Sequence, residues 1–170
     1  MAIAVLIGPP GSGKSSIGRA LAKLLEQDFV DTDALIEEQE GKSISEIFQQ
    51  SGEDKFREIE SAVVAHQLVH AEGIIALGGG AVLSPATQAS LKNSSADVVF
   101  LNVSASNAVP RVSANSSRPL LSENPSEQWS ALLKKRLPIY TDLADITIDT
   151  DNKKAQEVAN EIAVLLKELA

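Results

Sequence analysis

Ile3 to Ile7 form a short unbroken apolar run that stops at Gly8, and from Lys14 onward the period changes. A run of that length closed by glycine predicts a buried strand of a parallel sheet. Ile17, Ala20, Leu21, Leu24 and Leu25 then recur at i, i+3, i+4, i+7 and i+8, which predicts a helix with one apolar face. Phe29-Val30 leads into Asp31-Thr32-Asp33 as a second strand with an acidic end. Residues from about 34 to 70 read as several helices, broken near Gly41 and Gly52. Ile74-Ile75-Ala76-Leu77 is a third strand, stopped by Gly78-Gly79-Gly80. Val98 to Leu101 and Ile146 to Ile148 are the fourth and fifth. Between those two lie a short helix, a Ser/Asn/Pro-rich loop around 113–125 and a helix that ends before Pro138. The last helix carries Ala155, Val158, Ala159, Ile162, Leu166 and Leu169 on one face.

Apolar strands alternating with amphipathic helices predict a single α/β domain whose parallel sheet is covered on both faces. No internal repeat or interdomain linker interrupts it. The loop near 113–125 is long for a compact domain, and loops of that kind often serve as lids.

Composition narrows the partners. The chain has 170 residues, with 15 Lys and Arg against 23 Asp and Glu, a net charge of −8. An acidic balance argues against a nucleic-acid or anionic-membrane partner, since both favour a basic surface. Any anion site must therefore be a local gathering of arginines. The absence of cysteine excludes disulfides, thiol catalysis and Cys-based zinc sites. The N-terminal apolar run is too short for a signal segment, and no stretch approaches the ~18 apolar residues of a membrane span. A cytoplasmic location is expected.

Gly8-Pro9-Pro10-Gly11-Ser12-Gly13-Lys14-Ser15 satisfies G-x-x-x-x-G-K-[ST] between a strand and a helix. Glycines let successive backbone N–H groups curl around phosphate oxygens. The following helix turns its positive N-terminus on the same anion. Lys14 is expected to reach the β- and γ-phosphates of ATP, and the Ser15 hydroxyl to ligate Mg²⁺.

Ligands of an open parallel sheet bind beyond the carboxyl ends of its strands. Three such ends carry chemistry here: the phosphate loop, Asp31 with Asp33, and Gly78-Gly79-Gly80. Singly, an aspartate at a helix start is an N-cap and a glycine triplet is a turn. Their convergence on the phosphate loop changes that reading. Asp33 is assigned to accept the proton of an acceptor hydroxyl, and Asp31 to the magnesium shell. Three arginines are candidates for gripping anions: Arg57 on a helix, Arg118 on the lid about 112–124, and Arg136 where a helix stops before Pro138. Guanidinium forks grip carboxylates at two points. Arg118 is placed to close over the triphosphate, and Arg57 and Arg136 to hold the acceptor. His66-Gln67-Leu68-Val69-His70 lacks the glutamate of the zinc-protease motif H-E-x-x-H, so an ordinary helix face is expected. Trp129 and Tyr140 read as packing residues.

Assembled in this order, these stretches resemble the shikimate kinase family. The resemblance rests on Gly8 to Ser16, Phe29 to Asp33, Gly52-Glu53 with Phe56-Arg57 and Glu60, Ala76 to Ala81, Arg118-Pro119-Leu120-Leu121, and Arg136 followed by Tyr140. It implies the strand order 2-3-1-4-5, an acceptor-binding helical region about 33–60, and a lid. It implies phosphorylation of shikimate to shikimate 3-phosphate, a step of aromatic amino acid biosynthesis. Shikimate would be held by Asp33, Arg57, Gly79, Gly80 and Arg136. ATP would lie on Gly11, Ser12, Gly13, Lys14, Ser15 and Ser16, with Mg²⁺ at Ser15 and Arg118 over the phosphates. Lys153 would lie beside the adenine where the family often has arginine, Arg111 is a further match on the nucleotide side, and Ser16 stands where threonine is usual. A monomer with no partner beyond its small molecules is expected. The residues alone reach a small-molecule kinase, with a gluconate or nucleotide kinase as the near rival. A GTP-driven switch is disfavoured, because no D-x-x-G element is present and Asn152-Lys153-Lys154-Ala155 lacks the aspartate of a guanine reader.

Overall fold

The computed structural model describes residues 1–114 and 124–169. Within them five strands, β1 (Ala2–Ile7), β2 (Phe29–Asp31), β3 (Gly73–Ala76), β4 (Asp97–Asn102) and β5 (Ile146–Asp149), form one sheet in the order β2-β3-β1-β4-β5. Every pairing is parallel. The helices are α1 (Lys14–Leu25), α2 (Thr32–Glu40), α3 (Ile44–His70), α4 (Pro85–Asn93), α5 (Ala105–Ala114), α6 (Pro125–Leu143) and α7 (Ala155–Leu169).

Alternation along β1 divides the core. Val5 and Ile7 face Val64 and Leu68 of α3, Leu91 of α4 and Tyr140 of α6. Ala4 and Leu6 face Ile17 and Leu21 of α1 and Val158 and Ile162 of α7. Both sheet faces are thus buried, which is why the strands read as continuous apolar runs. Two smaller clusters stand outside this sandwich. One joins Ile36 of α2 to Ile47, Phe56 and Val63 of α3. The other joins Val103, Ala108 and Val112 to Trp129 of α6.

The breaks foreseen at Gly41 and Gly52 are present. Gly41 ends α2 at φ 65°, and Gly52 puts a kink inside α3 at φ 82°, ψ 168°, a conformation glycine takes at little cost. Ser43 caps α3 by accepting from Glu46 N–H at 3.2 Å.

One boundary is corrected. The helix expected to end before Pro138 runs on to Leu143, so Arg136 sits inside α6 and not at its end. Pro138 is exposed, so the carbonyl it leaves without a helical partner can meet water. Trp129, Tyr140 and Leu143 are buried and anchor the helix before and after the proline. Helix α4 has no counterpart in the sequence reading; it buries little besides Thr87 and Leu91. Among the described residues no helix is long and apolar enough to cross a membrane.

Candidate active site

Strand β1 delivers the phosphate loop to the carboxyl edge of the sheet, where Gly11 and Gly13 take φ 82° and 90°. The Lys14 ammonium lies buried over that loop, donating to the carbonyls of Gly8 at 2.8 Å and Pro9 at 3.1 Å. Ser12 is buried as well, its hydroxyl 3.4 Å from the Lys14 ammonium.

Asp31 closes β2 and uses its two oxygens differently. Oδ1 caps α2, accepting from the N–H groups of Asp33 at 3.0 Å and Ala34 at 3.3 Å. Oδ2 accepts the Ser15 hydroxyl at 2.5 Å. Asp31 therefore caps α2 with one oxygen and meets Ser15 of the phosphate loop with the other. Lys14, Ser15, Ser16, Asp31 and Asp33 line one cavity of about 330 Å³ together with Pro10, Gly11, Gly13 and Arg111. Its oxygen-only pair, one hydroxyl and one carboxylate, is the donor chemistry Mg²⁺ accepts when phosphates and water complete its shell. Among the described residues no group of three or more His, Cys, Asp or Glu is gathered for a metal. His66 and His70 instead stack on the exposed face of α3, ring centres 4.1 Å apart.

The glycine triplet after β3 seats three different partners. A Cβ on Gly78 would stand 2.5 Å from Oδ1 of Asp33. A Cβ on Gly79 would stand 3.2 Å from the Pro10 ring, so this residue packs on the phosphate loop itself. A Cβ on Gly80 would overlap the Arg57 guanidinium, 2.8 Å from Cζ. The family resemblance assigned the acceptor to Gly79 and Gly80; Gly78 belongs with them, because only a missing side chain lets the Asp33 carboxylate lie where it does.

Arg57 donates to Glu60 at 2.7 Å, and its Nε is buried without a hydrogen-bond partner. A buried donor left open is a place for an incoming oxygen. Arg57 also borders a second cavity of about 340 Å³, but Glu53, Asp54 and Glu58 line it, which disfavours a carboxylate there. Glu60 is 1 % exposed. Burial pushes its carboxyl up to about 7, against the pull of Arg57, while Asp33 adds to the rise and Arg136 opposes it. Arg57, Asp33 and Arg136 thus act on one buried carboxyl, although they come from three elements.

A raised carboxyl in the folded state stabilises fully below its ordinary 4.5, and that contribution is lost as pH climbs through 7. The loss amounts to about 3 kcal/mol at 1.36 kcal/mol per unit. Glu60→Gln has no such loss. Denaturation midpoints of the two proteins are expected to diverge in the variant's favour from about pH 5 to about 8, and parallel profiles would contradict this.

Two residues read as packing prove to hold the loops. Tyr140 is buried, stacks on Phe100 and donates its hydroxyl to the Gly79 carbonyl at 2.6 Å. Burial raises that phenol to about 12, against the partial pull of Arg136, so it stays a donor across the physiological range. Trp129 donates its indole N–H to the Pro10 carbonyl at 2.9 Å. Both bonds join residues distant in sequence, and no local pattern marks either. Tyr140→Phe leaves the Gly79 carbonyl without that bond and is expected to cost about 1–3 kcal/mol of stability. An unchanged midpoint in urea would refute that.

The remaining assignments stand as follows. Arg111 donates to the Gly11 carbonyl at 3.0 Å and lines the phosphate-loop cavity. Lys153 pairs with Glu161 of α7 at 3.1 Å and does not line the loop cavity. Arg118 and most of the expected lid lie outside the described residues.

Comparison with known proteins points one way. The family model for shikimate kinase matches residues 10–167. A shikimate kinase from Thermobifida fusca (strain YX) is 47% identical over 161 residues, covering 95% of this chain and 92% of that one. The solved structure of a shikimate kinase from Acinetobacter baumannii in complex with shikimate superposes with a TM-score of 0.93 at 36% identity, covering 97% of this chain and 92% of the other. A gluconokinase from Sinorhizobium meliloti 1021 has a TM-score of 0.61 at 22% identity, covering 99% and 93%, a likeness of fold alone.

Proposed function

The chain belongs to the shikimate kinase family, and on that premise we propose that this site moves the γ-phosphoryl group of ATP to a ring hydroxyl of shikimate, giving shikimate 3-phosphate. The observation that carries the reading is the shared cavity: the Asp33 carboxylate faces the same space as Lys14 and Ser15 of the phosphate loop.

ATP binds with its phosphates on residues 11 to 16, where backbone N–H groups, the N-terminus of α1 and Lys14 supply positive charge. Lys14 then exchanges the carbonyls of Gly8 and Pro9 for phosphate oxygens. Ser15 and Asp31 would hold Mg²⁺, which when bound would offset phosphate charge. Asp33 orients the acceptor hydroxyl in line with the γ-phosphorus and takes its proton. As the new O–P bond forms, the bond to the β-phosphate oxygen breaks and ADP leaves. Arg57, with its open Nε, and Arg136 hold the shikimate carboxylate, and the backbone of Gly79 and Gly80 approaches the ring. The helical region about 33–60 is the acceptor-binding part. Arg118, on a lid about 112–124, offsets charge over the phosphates, and Lys153 with Arg111 serves the nucleotide side. A net charge of −8 disfavours a nucleic-acid or anionic-membrane partner, and in this reading the enzyme works as a cytoplasmic monomer.

The test is ADP release by the purified chain with ATP, magnesium and a panel of acceptors. Release that depends on shikimate is expected. Turnover with gluconate or a nucleoside monophosphate, and none with shikimate, would overturn the assignment.

A further inference from the structure

We propose that Trp129 is a positioning residue for the nucleotide: its indole N–H locks the Pro10–Gly11 peptide in the one orientation that turns the Gly11 N–H away from α6. The inference rests on the reading of this loop as the ATP cradle.

The loop tip is a four-residue turn from Pro9 to Ser12, closed by Ser12 N–H on the Pro9 carbonyl at 3.2 Å. Proline stands at its second position and Gly11, at φ 82°, at its third. That combination defines a type II turn. Types I and II differ by a flip of the central peptide, and the Pro-Gly centre favours type II, whose third residue needs a positive φ. The local sequence therefore inclines the peptide to this orientation, but glycine also tolerates the flipped form, so a partner outside the turn can lock it.

Trp129 is that partner. It lies in the first turns of α6, is 2 % exposed, and packs among Val103, Ala108 and Val112. Its Nε1 donates to the Pro10 carbonyl at 2.9 Å, a buried bond spanning 119 residues of sequence. The peptide is trans, so carbonyl and following N–H point opposite ways. With the Pro10 carbonyl held on the indole, the Gly11 N–H is turned from α6, and Gly11 lines the cavity that Trp129 does not. Arg111 takes the next carbonyl, that of Gly11, at 3.0 Å. Helices α5 and α6 thus fasten two consecutive loop carbonyls from outside. A flipped peptide would strand a buried indole N–H and reverse the Gly11 dipole towards an anion.

Trp129→Phe keeps an aromatic ring in the cluster, removes the donor and loses some buried volume, the last of which Val103→Ala controls for. Calorimetric ADP binding to this variant of the full chain, with magnesium, is expected to weaken about tenfold, and KM for ATP to rise alike, while KM for shikimate stays within about twofold. Val103→Ala, which thins the same cluster without touching the loop, is expected to lower the melting temperature and leave ADP affinity intact. In the unaltered protein the single indole ¹H–¹⁵N resonance is expected to shift on ADP saturation and to hold still with shikimate alone. ADP affinity unchanged in Trp129→Phe, equal weakening in Val103→Ala, or a resonance unmoved by saturating ADP would each overturn the inference while the nucleotide site stands. No binding of ADP to the unaltered protein would remove the nucleotide reading and the inference with it.

Discussion

Asp33→Asn is expected to lower turnover by about 10²- to 10⁴-fold, the range supplied by one positioned acid–base group, with ATP affinity kept. The amide is nearly isosteric, so the contact with Gly78 and the fold around it persist. What changes is proton acceptance: an amide oxygen can receive a hydrogen bond but cannot take the proton as the O–P bond forms. Ser15 of the phosphate loop keeps its bond to Asp31 in this variant. Steady-state kinetics paired with ADP titration separate the two effects. A parallel loss of nucleotide affinity would show that Asp33 serves the phosphates instead of the acceptor.

Arg57→Ala is expected to weaken shikimate binding by about 2–5 kcal/mol, the cost of cutting one partner from a buried, hydrogen-bonded charge pair. That is a rise in acceptor KM of roughly thirtyfold to several thousandfold. Its effect on folding is smaller than the several kcal/mol of a stranded buried charge. Glu60 already sits near 7, and without Arg57 the burial and the Asp33 charge push it higher, leaving Arg136 as the opposing influence. The carboxyl then takes up a proton at neutral pH. Acceptor calorimetry and urea denaturation of the same variant check both parts. An unchanged acceptor KM would reject the grip assigned to Arg57.

What could be read along the chain was what is written locally. The phosphate loop is one contiguous motif, and its strand and helix neighbours follow from apolar period. Asp31 and Asp33, and the glycine triplet, could be brought to it because parallel strands put their carboxyl ends on one edge. The order of those strands came with the family resemblance, since periodicity does not say which strand neighbours which. Contacts between distant segments were not legible. Nothing near Gly78 reveals that Asp33 lies against it, and nothing near Trp129 or Tyr140 reveals a bond to Pro10 or Gly79. Glu60 entered only as one residue of a matched stretch, and nothing local reveals that it is buried and bonded to Arg57. Pro138 misled because proline normally stops a helix, yet here the helix is fastened at Tyr140 and Leu143 beyond it.

The most direct measurement is a crystal structure with a non-hydrolysable ATP analogue, magnesium and shikimate bound together. The γ-phosphate is expected between Lys14 and Ser15, and a shikimate hydroxyl within hydrogen-bond reach of Asp33, with the ring carboxylate on Arg57 and Arg136. Shikimate bound on the far side of Arg57, among Glu53, Asp54 and Glu58, or a triphosphate lying off the loop, would contradict the account.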